Sequence, residues 1–262
     1  SLFSNIYLNS ANGFIGINAS GKTSVLKVIL LVLELLNNEP INHIETRDIL
    51  GDGEEIKLNT YFFSRKTKEV CRLETIITAV KSKSEGTIYR IVSESLWTKS
   101  TDEVTTRKTM LDFEGREPAI IRSSQEEFLS DDVSIMIARN KKTKEHIRIV
   151  NILKFTNVNV LPFSEVIPAE VITFLDPTIE SLHFDEKDKK QIIHLKFKGK
   201  EEIILNNPVE LNNYLSSGTV KGMITFTLAQ EVLKSGGYIV VDEVENHFNK
   251  EIVTTLMRFF MY

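Results

Sequence analysis

The chain has 262 residues, 42% of them apolar and 26% charged, with a formal net charge of -4. That apolar share can fill a sizeable core and excludes a disordered chain, while the slight acidity supplies no overall basic footprint for nucleic acid and leaves only a local patch open to it. A single cysteine, Cys71, excludes an internal disulfide and suits a reducing cytosol, so a cytoplasmic protein is expected.

Ser1 to Asn12 has neither a basic start nor a long apolar region, so no secretory signal is expected. Leu2, Phe3, Ile6 and Leu8 predict a strand over residues 1–9. It would pair through the Ser10 to Gly13 turn with residues 12–17, making Phe14-Ile15 the end of a buried strand. Gly16-Ile17-Asn18-Ala19-Ser20-Gly21-Lys22-Thr23 then matches G-x-x-x-x-G-K-[ST] without a mismatch, and Ser24 follows. In that pattern the glycines let the backbone curl around phosphates, the helix N-terminus faces an anion, Lys22 adds a point charge, and Thr23 offers a hydroxyl to Mg²⁺. The stretch behind it, Val25 to Leu36, is apolar almost all round and predicts a buried helix ending at Asn37-Asn38. It is too short for a bilayer and contains Lys27 and Glu34, so no membrane span is expected.

Residues 55–63, 69–80, 87–96 and, more weakly, 105–113 read as strands of an antiparallel layer, separated by Lys/Ser/Gly-rich turns. From 123 to about 175 the pattern turns helical and charged, which predicts a protruding helical arm. It carries acidic Glu126, Glu127, Asp131 and Asp132, then basic Arg139, Lys141, Lys142, Lys144 and Arg148. Both runs read as solvated faces rather than as a metal site or a nucleic-acid contact. Strands at 192–198 and 202–205 flank a Gly199-Lys200 hairpin turn.

Leu215-Ser216-Ser217-Gly218-Thr219 opens an amphipathic helix whose serine hydroxyls, glycine and free helix N–H groups suit a second anion site. That helix leads into Tyr238-Ile239-Val240-Val241-Asp242-Glu243, an apolar strand launched by Gly236-Gly237 and ending in two carboxylates. A buried parallel strand delivers such a terminal Asp to the ligand crevice. There Asp242 would hold Mg²⁺ and Glu243 would orient the attacking water. One further helix is expected over residues 250–260.

The order and spacing of these three motifs resemble the ABC-type ATPases, whose signature turn stands a little over twenty residues before the Asp-Glu strand. Asn18-Ala19-Ser20-Gly21-Lys22-Thr23-Ser24 is similar to the Asn-Gly-Ser-Gly-Lys loops of SMC-like, recombination and OLD-type ATPases. Ser216-Ser217-Gly218-Thr219, Asp242-Glu243-Val244-Glu245-Asn246, residues 89–96 and residues 174–180 look like bacterial abortive-infection and OLD-like ATPases.

The resemblance implies an α/β P-loop NTPase of ABC-ATPase-like head type. Residues 1–53 and 191–262 would form the core, 54–121 an antiparallel β subdomain, and 122–190 a helical insertion. It implies Mg·ATP as ligand and hydrolysis carried by Glu243 with Lys22. It further implies a head-to-tail homodimer, in which Ser217 and Gly218 of one copy cap the ATP of the other, and a separate effector protein in antiphage defence. An SMC-like or DNA-repair head would need a longer coiled coil than 123–175 allows, and a nucleotide-gated scaffold is the non-enzymatic alternative. The family's Q-loop residue and switch histidine are not placed: the first glutamine is Gln125, and His247 stands too close to Asp242.

Overall fold

The computed structural model describes residues 9–53, 55–82, 86–122, 129–153, 167–187, 190–244 and 248–261. The chain divides into two compact units, Ser1–Ile149 and Val150–Tyr262.

In the first unit a four-stranded antiparallel sheet has the order β1-β2-β3-β4, from β1 (Ile56–Ser64), β2 (Glu69–Ser82), β3 (Gly86–Ser100) and β4 (Ile120–Ile121). The three long strands are those expected from alternation. The fourth expected strand, 105–113, is instead a short helix, α2 (Arg107–Leu111). A local side-chain device overrides the strand pattern there. Thr106 and Thr109 form a reciprocal cap at its start, and the buried Lys99 ammonium donates to the carbonyls of Thr109 and Asp112 at its end.

Helix α1 (Lys22–Leu36) packs on one face of this sheet through its C-terminal half only. Leu30, Leu31, Leu33, Leu35 and Leu36 are buried; Leu31 and Leu35 pack with Ile77, Tyr89 and Ile91, and Leu36 with Cys71, Leu73 and Leu96. Each such leucine contributes about 2 kcal/mol of burial. The helix is not buried along its whole length as the sequence predicts, since Val25 and Val28 are 43% and 37% exposed.

The β2–β3 pairing slips at one place: Ile76 faces Ser93 while Ile77 faces Ile91, so Val92 is an extra, bulged residue. Because side chains alternate, the bulge reverses which face of β3 points inward. Tyr89 and Ile91 are buried before it, and Glu94 and Leu96 after it. Glu94 is thereby carried into the core at 1% exposure. Its carboxylate accepts from Thr75 Oγ1 at 2.8 Å, Ser134 Oγ at 2.8 Å and the Ile135 N–H at 2.7 Å. Burial pushes its carboxyl above the usual range, against the pull of these bonds and of the Arg122 charge.

The Glu94 anchor fixes the start of α3 (Met136–Thr143), whose Ile135 and Met136 pack on Cys71 and Leu96. The described residues 129–149 therefore do not form a free helical arm. Leu129, Ile135, Met136 and Ile147 complete the core of the β layer, and the described part of the remaining insertion contains strands as well as helix.

The second unit has a three-stranded antiparallel sheet of β6 (Ile179–Lys187), β7 (Lys190–Phe197) and β8 (Glu202–Leu205). The β7–β8 turn has Gly199 at φ 70°, as the hairpin reading requires. Against this sheet pack α4 (Ala169–Leu175) and α5 (Ser217–Ser235). A Cβ at Gly222 would lie 2.4 Å from Leu175 Cδ2, so glycine is what lets α4 approach α5. The middle of α5, residues 219–227, is buried on all sides rather than amphipathic. Strand β9 (Tyr238–Val241) pairs with β5 (Ile149–Ile152), and α6 (Lys250–Met261) packs through Ile252 and Leu256 on Phe226 of α5. Among the described residues no helix is long and apolar enough to cross a membrane.

Replacing Glu94 by Ala strands three buried donors and is expected to cost about 3 kcal/mol. Urea unfolding measures this directly; a loss below about 1 kcal/mol would show that Glu94 is not an anchor.

Candidate functional site

The loop before α1 is built by backbone geometry. Ser20 N–H donates to Ile17 O at 3.2 Å, closing a tight turn, and Val25 N–H donates to Gly21 O at 3.0 Å as the helix begins. Gly21 is the N-cap, with φ 85° and no side-chain cap, and the first turn of α1 contains no acidic residue. The N-terminal end of the helix dipole thus meets no acidic side chain of its own first turn.

Inside the turn, Lys22 Nζ donates to Gly16 O at 2.8 Å and to Ile17 O at 3.2 Å. Gly16, Ser20 and Lys22 thus meet. A Cβ added at Gly16 would stand 2.6 Å from Ser20 Oγ and 4.0 Å from Lys22 Cδ, so a side chain there would fill the inside of the loop. Asn18, Ala19, Ser20, Thr23 and Ser24 are exposed on the loop and first helical turn.

Ala19 has φ 63°, a left-handed conformation costing a non-glycine residue about 1 kcal/mol. The resembled loops carry glycine at that place, and this backbone shape is the physical reason. The substitution is thus less neutral than its size implies.

The segment leading into the loop differs from expectation. Residues 11–15 contain no strand, Phe14 is 46% exposed and Ile15 fully so. Its expected partner strand falls on residues 1–8, outside the described residues. No neighbouring strand among the described residues takes up its backbone groups, and an isolated segment does not hold strand geometry.

In the second unit, Ser216 caps α5: its Oγ accepts from Thr219 N–H at 3.0 Å and lies 2.8 Å from Thr219 Oγ1. Thr219 is turned inward at 5% exposure, Ser217 is exposed, and Gly218 is half-buried. The first turn of α5 also lacks acidic residues.

Asp242 follows β9 half-buried, and Glu243 is exposed. Glu243 has φ 50°, and its N–H donates to Asp242 Oδ1 at 2.9 Å, which locks the two carboxylates into one bend. A glutamate in this sparsely occupied region is a strained residue of the kind that clusters at functional sites. The phosphate-type loop belongs to the first unit, and the serine turn and carboxylate pair belong to the second. Gln125, Glu245, Asn246 and His247 lie outside the described residues.

A separate cleft of about 360 Å³ lies at the other end of α1, lined by Glu34, Asn37, Glu39, His43, Glu45 and His146. Twelve helical residues, about 18 Å, separate Glu34 from Lys22. Partial burial, followed by the charges of Glu39 and Glu45, raises the Glu34 carboxyl above its usual range. The cleft is acidic and suits no phosphate.

No protein-family model matches the sequence, and the curated proteins contain no match to it.

Backbone shape at the loop yields a reciprocal test. Ala19→Gly should leave the melting temperature unchanged or raise it slightly, because relief of the left-handed alanine exceeds the added chain entropy. Gly21→Ala, at φ 85°, should cost about 1 kcal/mol and lower it by a few degrees. Equal effects in calorimetry would contradict the assigned conformations.

Proposed function

We propose that the chain is an ABC-type ATPase head that binds Mg·ATP on the Gly16–Thr23 loop and hydrolyses it. The observation that carries this reading is the curled loop itself. Gly16 leaves its interior open, Gly21 starts a helix with no acidic competitor, and Lys22 Nζ is held within it on two carbonyl oxygens at 2.8 and 3.2 Å. Phosphate oxygens replace those weaker acceptors for the ammonium, and loop and helix N–H groups complete the cradle.

The resemblance makes Thr23 and Asp242 the Mg²⁺ ligands, each a hard oxygen donor of the right kind, and bound Mg²⁺ would neutralise charge on the transferred group. By the same resemblance, Glu243 would accept a proton from the water that attacks the γ-phosphorus. The bond to the β–γ bridging oxygen breaks, leaving ADP and phosphate. Ser216 and Thr219 build the capping turn with Ser217 and Gly218, and in the head-to-tail dimer implied by the resemblance Ser217 and Gly218 would meet the γ-phosphate of the other copy. The same resemblance supports a sensor or regulatory role in antiphage defence, acting on a separate effector protein.

Lys22→Ala is expected to weaken ATP about 100-fold in a fluorescence titration, through loss of two charge-assisted bonds. Glu243→Gln should keep that affinity and lose single-turnover hydrolysis. Unchanged binding in the lysine variant would refute the phosphate site. An inactive wild type that still binds ATP would leave a nucleotide clamp in place of an enzyme.

A further inference from the structure

Two basic segments far apart in sequence meet in the first unit. The turn between β1 and β2 holds Arg65, Lys66, Thr67 and Lys68, and the last turn of α3 with its cap holds Lys141, Lys142, Thr143 and Lys144. They are clasped together: Lys66 Nζ donates to Thr143 O and Lys144 O, both at 2.7 Å, and Arg139 Nη2 donates to Thr67 Oγ1 at 2.7 Å.

The nearby carboxylates are turned inward by the same clasp. Glu145 accepts from Ser64 Oγ at 2.9 Å, and Glu69 is engaged by the buried Arg139 at 2.9 Å. Six cations therefore share one exposed surface in a chain whose net charge is -4. Among the described residues, Arg65, Lys68, Lys141, Lys142 and Lys144 enter no ion pair.

Two of these lysines sit where the backbone disfavours them. Lys68 has φ 53° and Lys144 has φ 52°. Lys144 also closes the end of α3, with its N–H on Asn140 O at 2.7 Å, a position where glycine or asparagine is the ordinary choice. Lysine at both places costs local stability, so a merely solvated turn does not account for it.

We propose that this surface binds the phosphodiester backbone of a nucleic acid. Exposed cations spread over two elements suit a run of phosphates better than one bound anion, which would need a closed pocket. The two four-residue segments contain only Lys, Arg and Thr. They offer no apolar side chain to insert into a bilayer, which sets the surface apart from a lipid-binding one. The overall charge conceals the surface because the acidic residues are distributed elsewhere.

Fluorescence anisotropy of a labelled DNA duplex of about 25 bp, titrated with the full chain at several salt concentrations, tests this. Arg65→Glu with Lys68→Glu, and separately Lys141→Glu with Lys142→Glu, should each weaken binding at least about 10-fold. Each pair should also make the slope of log K against log salt shallower by about 2. Lys198→Glu with Lys200→Glu, on the second unit, should change neither. Circular dichroism melts establish that each variant folds, and the matching Gln pairs replace any that does not. A wild type that ignores the duplex at low salt would overturn the proposal, as would reversals that bind like wild type. Tighter binding to phosphatidylserine vesicles than to DNA would assign the surface to a membrane and also overturn it.

Discussion

The buried carboxylate of Glu94 is the fixed point on which the first unit depends. One inserted residue, Val92, turns it from the solvent face into the core, where three donors from β2 and from the entry to α3 converge on it. A buried carboxylate is costly unless fully hydrogen-bonded, so the arrangement specifies one register and one position for α3. That position places Lys141, Lys142 and Lys144 beside the β1–β2 turn, linking the geometry of the sheet core to a cationic surface.

The same sheet anchors α1 by its leucine-rich second half and leaves the first half exposed. The phosphate-type loop is therefore mounted on a helix held rigidly at its far end. Its own shape comes from short-range bonds, two left-handed residues and the inward Lys22. Gly21 adopts the left-handed shape easily and Ala19 does not, so local strain is stored beside the ammonium group. Strain of the same kind appears at Glu243, beside Asp242 in the other unit.

Much of this was legible in the sequence where a single local rule governs. Alternation located β1, β2, β3, β7 and β8; the Gly-Lys-Thr run located the start of α1; Ser216 marked the start of α5. Failures occurred where long-range structure intervenes. Residues 107–111 became a helix because the Thr106–Thr109 cap starts it and Lys99, from β3, holds the carbonyls of Thr109 and Asp112 at its end. The stretch around α3 looked like a charged arm because its charges are conspicuous, whereas Ile135, Met136 and the Glu94 contact decide its place. The Lys141–Lys144 run was visible and read as a solvated face; its union with Arg65–Lys68 was not, because the two halves are more than 70 residues apart and are joined by Lys66. Only the glycine missing at Ala19 had a readable signal, since the resembled loops carry one there.

The central claim is that residues 16–23 form a triphosphate cradle. Its most direct test is hydrogen exchange of the full chain, followed by mass spectrometry, with and without a non-hydrolysable Mg·ATP analogue at saturation. The account predicts slowed exchange concentrated in peptides covering residues 16–25, as loop and helix N–H groups bond to phosphate. Unchanged exchange there, or protection confined to the acidic cleft around Glu34 and Glu45, would contradict it.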